Sequence, residues 1–190
     1  MLAVPRPFGG ASFLVLNNMR ILILLLSVSS LACAQAPKSL KDFSEIDKNV
    51  YVGSKPHSDQ DFDYLKSHNV HYILNARFLP FLSGGEKRKA ERYGMKFISV
   101  PMNASPIAPS RAHVDRILST LHGPEFEPIY VHCVLGRDRT SLISGLYKIY
   151  FLGVSKDAAL SEMRKSGFRT VWFLHGLKSY FDKEADHAIK

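Results

Sequence analysis

His132-Cys133-Val134-Leu135-Gly136-Arg137-Asp138-Arg139-Thr140 is the stretch that decides how this chain is read. It follows the short apolar run Pro128-Ile129-Tyr130-Val131 and leads into Leu142, Ile143, Leu146, Tyr147 and Tyr150, spaced as a helix would space them. Strand, tight loop and helix in that order put a cysteine under converging backbone N–H groups at a helix N-terminus. An arginine follows six residues later. That arrangement binds an oxyanion and holds a nucleophile beneath it.

Each residue type has a chemical reason to be there. A thiolate is the reactive form of cysteine, and a free thiol near pKa ~8.5 is mostly protonated at neutral pH. Amides and a helix N-terminus around Cys133 favour the anion. The same amides, from Val134 through Leu135, Gly136, Arg137 and Asp138 to Arg139, suit three phosphate oxygens. Gly136 permits the tight turn, and the planar fork of Arg139 matches two oxygens at once. Thr140 is expected to donate its hydroxyl to the sulfur, and His132 to orient the loop by hydrogen bonds. The implied reaction is a two-step transfer through a cysteine-bound phosphoryl group. No metal and no cofactor are expected, because loop and arginine supply the positive field. A Cys-x5-Arg pair alone would arise by chance; the whole assembly carries the reading.

His-Cys-x-x-Gly-x-Asp-Arg-Thr resembles the phosphate-binding loop of the protein tyrosine phosphatase superfamily, in its compact dual-specificity-like branch. The likeness continues through Val50-Tyr51-Val52-Gly53-Ser54-Lys55-Pro56, Val70-His71-Tyr72-Ile73-Leu74-Asn75-Ala76-Arg77 and Tyr93-Gly94-Met95-Lys96-Phe97-Ile98-Ser99-Val100-Pro101-Met102, covering about residues 45 to 185. The resemblance implies a cysteine-phosphatase fold. It also implies a proton-donating Asp some thirty residues before the cysteine, where this chain has Asn103. Asp138, beside Arg139, is the favoured replacement, on the pattern of bacterial relatives with Asp at this loop position. Asp115 is the alternative, and a substrate group or water the third.

The first third of the chain reads differently. A positive Arg20, an apolar run from Ile21 to Ala32 and the small-residue site Ala32-Cys33-Ala34 form the pattern of a secretory signal peptide. Residues 1–34 are therefore expected to be removed, leaving a phosphatase domain over 35–190, periplasmic or secreted; acylation of Cys33 is the alternative. Cleavage leaves Cys133 as the lone cysteine. It also removes Arg6 and Arg20, lowering the formal charge from +8 to +6. A basic chain suits polyanions, but its cations are scattered and no base-stacking motif stands out, so nucleic acid is not expected. Neither is a stable membrane anchor, and a monomer is.

The remaining pattern predicts strands near 50–53, 71–76, 96–100 and 128–132. It predicts helices over 59–68, 86–93, from the N-cap Ser110, and over 140–152, 156–166 and 170–185. Alternating elements of this kind give an α/β domain with a central, mostly parallel sheet flanked by helices. Phe173, Leu177, Tyr180 and Phe181 read as core packing of the last helix. Glu86-Lys87-Arg88-Lys89-Ala90-Glu91-Arg92 reads as a solvated helix face.

Arg137 at the loop mouth suits neighbouring phosphates, and the resemblance implies the same, since relatives with a basic residue and Asp here often act on phosphoinositides or inositol phosphates. The expectation is therefore a phytase-like inositol-polyphosphate phosphatase, which needs several of Lys55, His57, Arg77, Arg111 and His113 around the loop; each alone reads as a surface or salt-bridged residue. A tyrosine or dual-specificity protein phosphatase, a phosphoinositide phosphatase and a weakly catalytic binding module are the alternatives. Arg77 has a plainer reading as the ion-pair partner of Glu86.

Overall fold

Ile129–His132 (β5) is buried at every residue, as a strand covered on both faces must be. In this computed structural model, which describes residues 35–104 and 106–188, it is the middle strand of a five-stranded sheet ordered β1-β2-β5-β3-β4. Val50–Gly53 (β2) and Tyr72–Asn75 (β3) flank it, both parallel, and Lys96–Ser99 (β4) lies parallel beyond β3. Ser44–Asp47 (β1) closes the other edge antiparallel to β2, with a register irregularity between Glu45 and Asp47. The segment read as a signal peptide, Cys33 included, lies outside the described residues.

Side-chain alternation along the strands divides the apolar interior in two. Tyr130 and Ile73 point to the face packed by Phe62 and Leu65 of Asp59–Ser67 (α1) and Ala90 of Gly84–Arg92 (α2). Val131 and Leu74 point to the face packed by Arg111–His122 (α3), Asp138–Leu152 (α4) and His175–Ala188 (α6). Lys156–Lys165 (α5) packs on α4 so closely that a Cβ on Gly145 would lie 2.5 Å from Met163 Sδ. Flanked this way, α4 is buried on several sides and shows no polar stripe, as a central helix should. Among the described residues no helix is long and apolar enough to cross a membrane.

Four parallel strands end at one edge, so the segments after β2, β3, β4 and β5 all leave there; ligands of open parallel sheets bind at that edge. The α/β, mostly parallel expectation holds, with three differences. The short edge strand β1 was not foreseen, because Ser44-Glu45-Ile46-Asp47 offers one apolar residue and no alternating run. Helix α4 begins at Asp138, two residues earlier than the pattern predicts. The last helix begins at His175, after a 3-10 turn at Trp172–Leu174. Phe173 is therefore half-exposed on that turn, while Leu177, Tyr180 and Phe181 are buried.

Candidate active site

Cys133 follows β5 directly, a buried free thiol at the base of the loop. Val134 and Leu135 are half-exposed on the lip. Gly136 takes φ +75°, and a Cβ there would sit 2.6 Å from the Ser54 nitrogen. Arg137 is the N-cap, and Ser141 N–H donates the first bond of α4 to its carbonyl at 2.7 Å. The N–H groups of Asp138, Arg139 and Thr140 precede that bond and have no intrahelical partner. The buried Nε of Arg139 has no protein acceptor either. Orphan donors gathered over a thiol at a helix N-terminus fit an oxyanion.

The loop is held from both sides. On one, Lys55 N–H donates to the Val134 carbonyl at 3.2 Å, and the buried Tyr130 hydroxyl donates to the Ser54 carbonyl. Burial, and next the charge of Cys133, push the Tyr130 hydroxyl well above its ordinary pKa, so it remains a donor. On the other side, His132 Nδ1–H donates to the Cys133 carbonyl at 2.8 Å. Its Nε2 lies 2.6 Å from Glu86 Oε1, a close polar contact off the line of a straight hydrogen bond. Glu86 Oε2 in turn meets Arg77 Nη1 at 3.4 Å. Asn75 ties the layer together, accepting from Arg77 N–H and donating to Ser83 Oγ.

Glu86 is thus a correction to the solvated-face reading: Lys87, Arg88, Glu91 and Arg92 are exposed, but the Glu86 side chain is 1% exposed beneath the loop. The signal was present in its spacing. Glu86 and Ala90 are four apart, and both lie on the buried stripe of α2.

Asp138 is engaged by a residue that the sequence did not suggest. Arg169 Nη2 donates to its Oδ2 at 2.7 Å, Nε to Oδ1 at 3.3 Å, and the Arg169 backbone N–H to Oδ1 at 3.2 Å. The hydrogen bond and charge of Asp138 raise the Arg169 guanidinium pKa further. Presenting Asp138 to a leaving group requires this pair to open. Asp115 lies elsewhere. It pairs with Arg111, which also meets Glu184, and Glu184 accepts from Tyr150. Tyr150 is twelve residues along α4 from Asp138, about 18 Å at 1.5 Å per residue. The Thr140 hydroxyl is also not where the sequence put it. It has no partner, the sulfur included, and Thr140 lines a small cavity behind the loop with Ser44, Ser141, Ser144 and Ser166.

Of the five side chains several of which a phytase would need around the loop, Lys55 belongs to a segment bonded to the loop and Arg77 is taken up by Glu86. Arg111 is held at the far end of α4, and His113 is exposed in the same turn of α3. His57 donates its backbone N–H to Asp61 beside α1. Arg137 stands at the mouth, 3.8 Å from Asp42. Ser110 caps α3 by position without a side-chain bond. Among the described residues no group of three or more His, Cys, Asp or Glu side chains is placed to hold a metal.

No family model matches the chain. A stretch of 75 residues is 36% identical to the dual specificity protein phosphatase TpbA of Pseudomonas aeruginosa, covering 39% of this chain and 34% of that one. The chain thus matches about a third of the length of that curated relative. Among solved structures, the core catalytic domain of the PP-IP phosphatase Siw14 from S. cerevisiae superimposes with a TM-score of 0.67 at 19% identity, over 80% of this chain and 90% of its own. A cysteine-to-serine form of P. aeruginosa TpbA in complex with pTyr gives 0.64 at 20% identity, over 85% and 99%. At such identities the structural likeness is one of fold. The chain thus shares the fold of the dual-specificity-like members of the protein tyrosine phosphatase superfamily, with Cys133 and Arg139 on the loop between β5 and α4.

Proposed function

We propose that the protein is a cysteine-dependent phosphomonoesterase. The observation that carries the reading is the buried Cys133 thiol on the short loop that ends in unpartnered donors, the α4 N-terminus and Arg139 Nε. The Cys133 sulfur attacks phosphorus, the bond from phosphorus to the ester oxygen breaks, and that oxygen leaves with a proton. Asp138 supplies the proton once it parts from Arg169. Water then attacks the phosphocysteine, inorganic phosphate departs, and the thiolate returns. The amides and Arg139 hold the three equatorial oxygens throughout.

The site favours a single phosphoryl group on a partly apolar carrier, since Val134 and Leu135 form half the lip and Lys55 and Arg137 are the cations near it. That is the chemistry of a phosphotyrosine-like ester, and the match to a dual specificity phosphatase supports it. An inositol phosphate is the second reading, supported by the fold shared with a PP-IP phosphatase and by the pair Lys55 and Arg137. Phosphate release from a phosphotyrosine peptide and from inositol hexakisphosphate, with Cys133→Ser as the blank, tests both. Cys133-dependent release from the peptide at the higher kcat/KM supports the first reading, and the reverse order replaces it with the second. Release from neither removes both substrates.

A further inference from the structure

Ten of the thirteen large apolar side chains that are exposed among the described residues lie on segments at the carboxyl edge of the sheet, around Cys133. Scattered exposed hydrophobes are ordinary; a cluster around one site is not. Phe81 is 76% exposed and Leu82 56% on the segment after β3, which is fixed beside the loop by Ala76 N–H on the His132 carbonyl and by Asn75 on Ser83. Trp172 is 79% exposed, next to Phe173, on the segment that Arg169 fastens to Asp138. Val134 and Leu135 lie on the loop between His132 and Asp138, the two residues to which those segments are fastened.

The charge on the same edge is predominantly positive. Segments 54–58, 76–83, 100–110, 133–139 and 166–174 carry Lys55, Arg77, Arg137, Arg139 and Arg169 against Asp138, with Asp42 beside Arg137 and the buried Glu86 on Arg77 as the other acids in contact with them. Aromatic and aliphatic tips set among cations are the chemistry that partitions into the headgroup layer of an anionic bilayer.

We propose that this edge is a membrane-docking face, on which the tips around Phe81 and Trp172 enter an anionic lipid surface and present Cys133 to a phosphomonoester borne on that surface. The docking stands on the exposed tips and their charge; the lipid-borne substrate rests on the reading of Cys133 as the nucleophile.

Trp172 is the sole tryptophan of the chain, so its fluorescence reports this face and no other. The full-length Cys133→Ser protein is mixed with vesicles of phosphatidylcholine alone or with phosphatidylglycerol. The expected result is a shift of Trp172 emission to shorter wavelength on the anionic vesicles, with quenching by bromine-labelled lipid. Phe81→Ser with Leu82→Ser should weaken that partition about tenfold or more, while turnover of the soluble ester p-nitrophenyl phosphate in the Cys133 background stays unchanged. An emission that does not move on bound vesicles overturns the proposal. So does an equal shift on neutral vesicles, or a shift with a soluble acidic protein and none with lipid. Absence of p-nitrophenyl phosphate turnover alongside a shifted emission would instead remove the hydrolase reading and leave the docking face standing.

Discussion

Glu86 Oε1 lies 2.6 Å from His132 Nε2, with both side chains withdrawn from solvent, so a carboxylate on α2 is coupled to the residue that precedes Cys133. Because Glu86 also meets Arg77, removing it strands a guanidinium and an imidazole together. Glu86→Ala is expected to lose about 3–5 kcal/mol of stability, the usual cost of breaking a buried ion pair from one side. Glu86→Gln keeps the shape, and should keep the fold while lowering kcat. Urea unfolding of both variants, with phosphate release by the Gln form, checks this; unchanged stability of the Ala form contradicts it.

The pair between Arg169 and Asp138 separates two roles for the loop aspartate. A proton donor matters most when the leaving oxygen is basic, and general acid catalysis contributes about 10²-fold or more. Asp138→Asn should therefore cost about 10²-fold in kcat on an alkyl phosphate and much less on p-nitrophenyl phosphate. Arg169→Gln, which loosens the loop without removing the acid, should affect the two esters alike. Equal losses for Asp138→Asn on both esters would confine Asp138 to holding the loop.

Asp61 makes folding sensitive to acid. Burial pushes its carboxyl up, but the hydrogen bonds from Ser39 and from the amides of Ser58 and His57 outweigh it and bring the pKa below the ordinary value. The stability it contributes is present above the unfolded value of about 3.9 and is lost as pH falls through the lower folded one. Asp61→Asn should cost about 2 kcal/mol at pH 7 and flatten the decline of stability below about pH 4. Unfolding free energies measured from pH 7 to pH 3 check both; an unchanged slope contradicts the assignment.

Gly136 is constrained twice. Its φ of +75° disfavours any side chain, and an added Cβ meets the backbone of Gly53 and Ser54 at 2.6–2.7 Å, where nothing flexible can yield. Gly136→Ala is expected to cost about 2–4 kcal/mol and to displace the loop from β2. A lowered Tm with lost turnover is the expected outcome; an unchanged Tm opposes it.

The strand, loop and helix around Cys133 were legible because local sequence determines them: an apolar run, a glycine where φ must be positive, and a periodic stripe. The flanking strands and helices followed from the same periodicities. Contacts that join segments far apart in the chain were not legible. Arg169 reaches Asp138 across 31 residues, and nothing local to Gly167-Phe168-Arg169-Thr170 marks it. Thr140 and Phe173 misled for a related reason. Spacing says which face of a helix a residue occupies, but not whether the helix has begun or which hollow lies behind it. Arg111 and Asp115 were candidates by residue type, yet the packing of α3 carries them to the far end of α4.

The central claim is that Cys133 carries the phosphoryl group between the two steps. Rapid acid quench of the protein with a radiolabelled aryl phosphate, followed by peptide mapping, tests it most directly. The account predicts label on the peptide containing Cys133 during turnover, absent from Cys133→Ser. Turnover with no labelled protein, or label on any other residue, would contradict it.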